Sequence, residues 1–359
     1  MSRVRLHPSG HEIECQAGDT VLESVERAGY ALPNNCRAGA CGECKVKVLE
    51  GEFDQGMVLD MALSPEERAQ GYGLMCMAKP LSDEMVIEWG TEDAKPKLFP
   101  PRENMLHVVT EKIERTPRIV EFRLRPLGNS VRYWPGQYVM LGDASQGAPP
   151  RCYSIAGAPR SDGEILLHVS RDVNGMTSRW LHDQVQIGDM VKLAGPYGTF
   201  IGDPSVETPV LCLAAGSGLA PILSLTEAAL RRGFKKPVRL MFSARTAQDV
   251  YDRGLMAFLQ AKYRRFKFIP TLTREKREDM LSGRIPDILP EHFADLSGYS
   301  VFIAGTPEFV ESCKQVARRL GADDSVIIYR RTQEQMPAHA EEVEGAVSEG
   351  VRMNWLRTI

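Results

Sequence analysis

The residues best suited to chemistry lie between Cys36 and Cys44, CRAGACGEC, and are answered by one distant cysteine, Cys76. The spacing is C-x4-C-x2-C, with the fourth cysteine following after 31 more residues. Four thiolates spaced in this way hold a [2Fe–2S] cluster. Three ligands on one tight loop wrap the cluster with backbone N–H groups aimed at its sulfurs, and Cys76 closes the cage from elsewhere. Gly39 and Gly42 let the loop turn with φ > 0 and pass the cluster without a Cβ in the way. The alternatives are a disulfide pair or a structural zinc site, but a zinc site ordinarily pairs two short cysteine hooks, and the second hook is missing here. The expected metal ligands are therefore Cys36, Cys41, Cys44 and Cys76.

The chain that positions them has 359 residues, 43% hydrophobic and 25% charged, an ordinary globular composition. Its length allows roughly two or three domains. No apolar run is long enough to span a membrane, and the opening MSRVRLHPSG lacks the apolar core of a signal peptide. Cys15, Cys152, Cys212 and Cys313 are scattered singly and are expected to be small buried hydrophobes, which fits a reducing cytoplasm. Neither a membrane nor nucleic acid is expected as a partner. Charge is uneven: residues 1–94 carry 8 Lys/Arg against 17 Asp/Glu, although the whole chain stands at only −3. That acidity is either solvated surface or an electron-donating face that steers a basic partner.

Residues 3–15 alternate as a hairpin. Thr20-Val-Leu-Glu23 reads as a capping box opening a helix that ends near Gly29. Lys45 to Val48 alternates charged and apolar residues, a half-buried strand. Ser64-Pro65-Glu66-Glu67 opens a short helix whose end delivers Cys76, and Val86 to Trp89 closes the sheet. With its four cysteines, Gly39, Ala40 and the LMCMAKP setting of Cys76, the segment 1–94 resembles plant-type ferredoxins. The resemblance implies a small α+β domain of β-grasp fold. Residues 95–104, AKPKLFPPRE, read as a proline-rich, semi-stiff linker.

Residues 105–202 hold many short strand-like runs broken by Gly and Pro, which suggests a closed antiparallel β-barrel. Three stretches stand out: Arg151-Cys-Tyr-Ser154, Gly175-Met-Thr-Ser178 before the helical run Arg179 to His182, and Gly195-Pro-Tyr-Gly-Thr-Phe200. In this order they resemble the flavin domain of the ferredoxin–NADP reductase superfamily. The resemblance gives Arg151 a flavin phosphate to clasp with its planar fork. Tyr153 would lie along the isoalloxazine and the Ser154 hydroxyl would reach flavin N5, making these two the catalytic pair. Gly175, Met176, Thr177 and Ser178 would present helix N-terminal N–H groups to a pyrophosphate. Superfamily members with the cluster domain first mostly bind FAD, so FAD is the expected flavin.

Residues 203–331 alternate apolar strand, loop and helix, the pattern of an α/β domain with a parallel sheet. Pro209-Val-Leu-Cys-Leu-Ala-Ala215 reads as a buried parallel strand. It runs directly into Gly216-Ser-Gly218-Leu-Ala-Pro221, where glycines let the backbone approach a dinucleotide phosphate. Pro221 in place of a third glycine matches the same superfamily. Arg245, after the strand Val238 to Phe242, faces the adenine ribose in that family and could pair with a 2′-phosphate. The choice between NADH and NADPH stays open, with a lean to NADH. Before Gly305, Ala304 stands where the family usually carries a cysteine beside the nicotinamide and flavin, so slower hydride transfer is expected. Residues 332–359 have no assigned role. The stretch 313–351, with the double arginine Arg330 and Arg331, is similar to part of the glutamate synthase small subunit. Within it, Glu341 to Val351 reads as an amphipathic helix expected to pack on the third domain.

Together these resemblances imply a multidomain, NAD(P)H-dependent reductase that uses FAD and a [2Fe–2S] cluster to deliver electrons to a partner oxygenase. Two other readings remain. The chain could supply electrons to another sink, such as sugar-nucleotide deoxygenation or a dehydrogenase complex, or it could be a non-catalytic relay, as Ala304 hints.

Overall fold

The computed structural model describes residues 2–34, 37–40, 42–202 and 207–322, and the backbone of 325–329. Cys36, Cys41 and the tail 332–359, with its expected helix at Glu341 to Val351, lie outside the described residues. One compact unit is built from residues 1–100 and a second spans Pro101–Tyr329.

The first unit contains β1 (Ser2–His7), β2 (Glu12–Cys15), α1 (Val21–Arg27), β3 (Lys45–Glu50), β4 (Phe53–Asp54), α2 (Pro65–Ala69), β5 (Tyr72–Leu74), β6 (Lys79–Pro80) and β7 (Glu84–Glu88). Five of the strands form one sheet in the order β2-β1-β7-β3-β5. β1 runs parallel to β7 and antiparallel to β2, which gives a mixed sheet in the α+β arrangement that the resemblance implied. α1 begins at the expected box: Thr20 Oγ1 accepts from Glu23 N at 3.3 Å while Glu23 Oε2 accepts from Thr20 N at 2.8 Å. Its Val21, Leu22 and Val25 are fully buried against the sheet. At the far end, Lys97 N and Leu98 N both donate to the Gly29 carbonyl, at 2.7 and 2.8 Å. Part of the stretch 95–104 is therefore tied to the end of α1, and its last residues already belong to the next strand.

The second unit opens with β8 (Arg102–Thr116), β9 (Ile119–Pro126), β10 (Tyr138–Asp143), β11 (Ala148–Ala156), β12 (Ile165–Ser170), α3 (Met176–Asp183) and β13 (Met190–Tyr197). The six strands close into a barrel in the order β10-β11-β12-β9-β8-β13. Phe122, Leu124, Val139, Ile155 and Leu167 fill its interior. There follow β14 (Val210–Ala215), α4 (Leu219–Arg231), β15 (Val238–Ala244), α5 (Arg253–Lys262), β16 (Phe266–Leu272), β17 (Leu281–Ser282), α6 (Ile285–His292), β18 (Ser300–Gly305), α7 (Pro307–Arg319) and β19 (Ser325–Tyr329). Their six strands form a parallel sheet in the order β17-β16-β15-β14-β18-β19. Leu211, Leu213 and Ala214 of β14 are fully buried, as a central parallel strand requires.

Cys15, Cys212 and Cys313 are buried as expected, and burial pushes their thiols up, that of Cys212 to about 12. Cys152 corrects the expectation, because it is exposed. The physical reason is local to β11. Pro150, Arg151 and Cys152 are exposed in succession, whereas Tyr153 to Ala156 are all buried. The strand leaves the packed body on both faces at once, so no alternation protects the thiol.

Gln137, fully buried, shows how the turn before β10 is held. Its Nε2 donates to the Gly198 carbonyl at 2.9 Å and its Oε1 accepts from Trp134 N at 2.8 Å. Gln137→Leu keeps the volume but orphans both backbone groups, so it should cost about 2–4 kcal/mol of stability. A shifted denaturant midpoint at unchanged slope is the expected result.

Candidate functional site

The cysteine loop is anchored from both sides. Cys44 and Cys76 are both buried, and Cys76 N donates to Cys44 Sγ at 3.4 Å. A backbone N–H aimed at a cysteine sulfur is the kind of contact that tunes an iron–sulfur cluster where such a sulfur ligates one. Cys44 is fixed by Met75 N, which donates to its carbonyl at 3.0 Å, and the Met75 carbonyl in turn accepts from Leu22 N of α1 at 2.9 Å. The segment carrying Cys76 thus rests on the start of the first helix. Gly39 has φ +69°, and a Cβ there would stand 2.9 Å from the Met57 carbonyl, so only glycine fits.

The other side of the loop hangs on a buried carboxylate. Arg37 Nη1 reaches Glu26 Oε1 at 2.8 Å and Oε2 at 2.7 Å, and Asn34 Nδ2 donates to Oε1 at 3.1 Å. Burial pushes the Glu26 carboxyl up, and the Arg37 charge opposes that shift without cancelling it. Asn34 and Arg37 flank the first cysteine of the motif, so Glu26 clamps the loop entrance to α1. Sequence reasoning missed Glu26. The available signal was a charge sharing the apolar face of α1 with Leu22, four residues before it.

In the barrel, Arg151, Tyr153 and Ser154 all lie on β11, Arg151 exposed and the other two buried. Ser154 stands opposite Tyr138 of β10, whose ring lies 5.8 Å from that of Tyr197. Gly175 caps α3 with no side-chain hydrogen bond, which leaves the helix N-terminus open to an anion. Thr177 Oγ1 donates to the Pro149 carbonyl, while Ser178 Oγ accepts from Asp172 N at 3.1 Å and donates to Gly175 O at 3.2 Å. These hydroxyls are engaged in building the turn, so the turn's own N–H groups are what it can offer. The Thr177–Pro149 bond also brings the open helix end beside Arg151, two residues along. Met176 is exposed at the same end.

In the parallel sheet, Gly216 to Gly218 form a short 3-10 turn between β14 and α4. A Cβ on Gly218 would collide with the Ala304 carbonyl and stand 2.8 Å from Gly305 N. The turn therefore presses directly against the end of β18, and the structure brings Gly218, Ala304 and Gly305 together. Pro221 is buried in the first turn of α4, where a missing N–H costs nothing. Arg245 is exposed just beyond β15, and its carbonyl accepts from Arg274 N at 2.9 Å. Among the described residues, no helix is long and apolar enough to cross a membrane.

A cysteine-bearing loop, an open helix end beside an exposed arginine on a barrel strand, and a glycine turn at the carboxyl end of a parallel sheet fit the class of iron–sulfur flavoprotein oxidoreductases. Comparison with known proteins gives the same class. A 2Fe-2S iron-sulfur cluster binding domain model matches residues 4–81, an oxidoreductase FAD-binding domain model 106–201, and an oxidoreductase NAD-binding domain model 212–315. The chain is 35% identical over 315 residues to the aromatic O-demethylase reductase subunit of Amycolatopsis sp., covering 86% of this chain and 92% of that protein. It is 32% identical to the phenol 2-monooxygenase reductase component of a Pseudomonas species, covering 86% and 88%. The crystal structure of an Amycolatopsis cytochrome P450 reductase matches with a TM-score of 0.83 at 31% identity, covering 92% of this chain and 98% of that one. The chain belongs to the ferredoxin–NADP reductase superfamily, among the reductases that carry an N-terminal [2Fe–2S] ferredoxin domain. Its cofactors are a [2Fe–2S] cluster, FAD and a nicotinamide nucleotide.

Two variants test the loop geometry. Cys76→Ser should abolish the iron–sulfur absorbance and leave bound flavin in place, as read from the visible spectrum. Glu26→Gln removes the charge that holds Arg37, and cluster loss to a chelator should then run several-fold faster with the flavin spectrum unaltered.

Proposed function

We propose that this protein oxidises NAD(P)H and delivers the electrons one at a time to a partner oxygenase. The observation that carries the reading is the way the second unit is welded together. Ser224 of α4, fully buried, donates to the Gly157 carbonyl at 2.7 Å and accepts from Gly136 N at 3.3 Å. Glu227, one turn on, accepts from Ala158 N at 2.9 Å. The helix that begins at the nucleotide turn is thus bonded to the loop that enters β10 and to the loop that leaves the flavin strand β11. A flavin on β11 and a nucleotide on Gly216–Gly218 would meet at fixed separation. Such pre-paid placement lowers the barrier to transfer between two bound groups.

Bound in these sites, the nicotinamide supplies a hydride, the flavin converts an electron pair into single electrons, and the cluster passes them on. The chain's own residues bind and orient. Arg151 offers its fork to a flavin phosphate, and the N–H groups of Gly175 to Ser178 receive the pyrophosphate. Tyr153 gives a buried ring for the isoalloxazine to lie along, and Ser154 a buried hydroxyl to donate toward N5. Gly216, Gly218 and Pro221 shape the nucleotide turn, Gly305 leaves room at the end of β18, and Arg245 stands where an adenosine 2′-phosphate would come. Cys36, Cys41, Cys44 and Cys76 hold the iron. The oxygenase partner is supported by the relatives, which are reductase components of phenol monooxygenase and naphthalene 1,2-dioxygenase systems among others. The net acidity of residues 1–94 suits a partner with a basic docking face.

Anaerobic stopped-flow mixing with NADH and with NADPH tests the reading. Flavin bleaching followed by cluster bleaching is expected, and no bleaching with either nucleotide would reject it in favour of a passive relay. Arg151→Ala should weaken FAD binding by about 10- to 100-fold, the loss of a charge-assisted bidentate contact. Arg245→Ala should leave NADH-driven bleaching unchanged and slow bleaching at low NADPH by about tenfold.

A further inference from the structure

Four buried polar side chains from separate segments meet between the barrel and the nucleotide sheet, and none belongs to the sites above. Glu121 on β9, His168 on β12 and Tyr251 and Asp252 before α5 are each almost wholly shielded from solvent. His168 Nε2 stands 3.2 Å from Glu121 Oε2 and 3.7 Å from Asp252 Oδ2. Arg115 of β8 closes the group, with Nη2 2.8 Å from Glu121 Oε2 and Nε 3.5 Å from Asp252 Oδ1. On the other side of the imidazole, the Tyr251 hydroxyl lies 3.4 Å from Nδ1 and donates to the Gly216 carbonyl at 3.0 Å. The two rings meet edge to face at 5.2 Å.

The direction of these bonds follows from counting donors. Tyr251 has one hydroxyl hydrogen, and the shorter contact gives it to Gly216 O, so the hydroxyl oxygen accepts from His168 Nδ1. Nε2 faces Glu121 Oε2 at 3.2 Å, also an acceptor, so both contacts are hydrogen bonds only when each ring nitrogen carries a hydrogen. Burial pushes the Glu121 carboxyl up, but His168 and Arg115 outweigh it and hold the group below the usual carboxylate range. Asp252 lies on the other side of that balance, pushed up by burial. It also keeps a left-handed backbone at φ +55°, a conformation that a non-glycine residue adopts at a cost.

A trans peptide is planar, with its C=O and N–H pointing in opposite directions. Fixing the Gly216 carbonyl therefore also fixes the Ser217 N–H, the first donor of the nucleotide turn. We infer that His168 and Tyr251 are positioning residues for the nicotinamide nucleotide: the barrel's imidazole orients the tyrosine hydroxyl, which pulls the Gly216 carbonyl inward and turns the Ser217 N–H toward the nucleotide pyrophosphate. The inference rests on the reductase reading given above. A pyrophosphate contact remote from the reacting ring strengthens binding without changing the chemical step.

Tyr251→Phe tests this, because it keeps the ring and removes only the hydroxyl. In the FAD- and cluster-loaded protein, the dissociation constant for unreactive NAD+ or NADP+, measured calorimetrically, should rise about tenfold. The limiting rate of flavin bleaching at saturating NAD(P)H should stay within about twofold, the signature of lost uniform binding. Amide exchange in the peptide covering 212–223 should quicken, while the melting temperature holds. His168→Gln, a second route to the same bond, should raise the same constant by a smaller factor. Unchanged nucleotide affinity in both variants, or a fallen limiting rate at unchanged affinity, overturns the inference while leaving the reductase intact. A wild type that binds and is bleached by neither nucleotide overturns the reductase reading, and this inference with it.

Discussion

One buried hydroxyl holds the second unit in register. Ser224 Oγ satisfies a barrel N–H at Gly136 and a barrel carbonyl at Gly157, from a helix whose first residues belong to the nucleotide sheet. Any rotation of barrel against sheet would break both bonds and leave the buried Gly136 N–H without this partner, at a cost of about 1–3 kcal/mol for the orphaned group. The constraint explains why chemistry-bearing residues can be thinly spread. Arg151, Gly175 and Gly218 need only be correct on their own elements, because α4 fixes the elements to each other.

The same principle operates at smaller scale in the first unit. The cysteine loop has little hydrophobic content of its own, so it borrows rigidity from α1. Glu26 clamps its entrance through Arg37 and Asn34, and the exit is stitched through Met75 to Leu22. The arrangement stabilises thiolate chemistry by geometry. The Cys76 N–H points at the Cys44 sulfur, and the buried Glu26 carboxyl faces the arginine beside the loop entrance.

Much of this was legible in the sequence, and the exceptions have physical causes. The helix starts at Thr20 and Ser64 and the apolar run before Gly216 are local signals, and each became the expected element. The exposure of Cys152 was not legible, because whether β11 leaves the packed body depends on its neighbours rather than on its own alternation. The Glu121–His168–Tyr251–Asp252 group was equally silent. Its members come from three distant segments, and no periodicity marks a polar residue that is buried because its partners are buried with it. Glu26 falls between these cases, since its place on the apolar face of α1 was readable and its partners were not. In general, residues that act through their own element can be read locally, whereas those that join elements need the fold.

In the proposed function, electrons enter as a pair at the nucleotide turn and leave singly through iron held by cysteine thiolates. Anaerobic titration of the loaded protein with NADH, followed by low-temperature electron paramagnetic resonance, tests it most directly. The rhombic signal of a reduced [2Fe–2S] cluster is expected to grow as nucleotide is added. Bleached flavin with a cluster that stays silent under NADH, yet is reducible by dithionite, would contradict it.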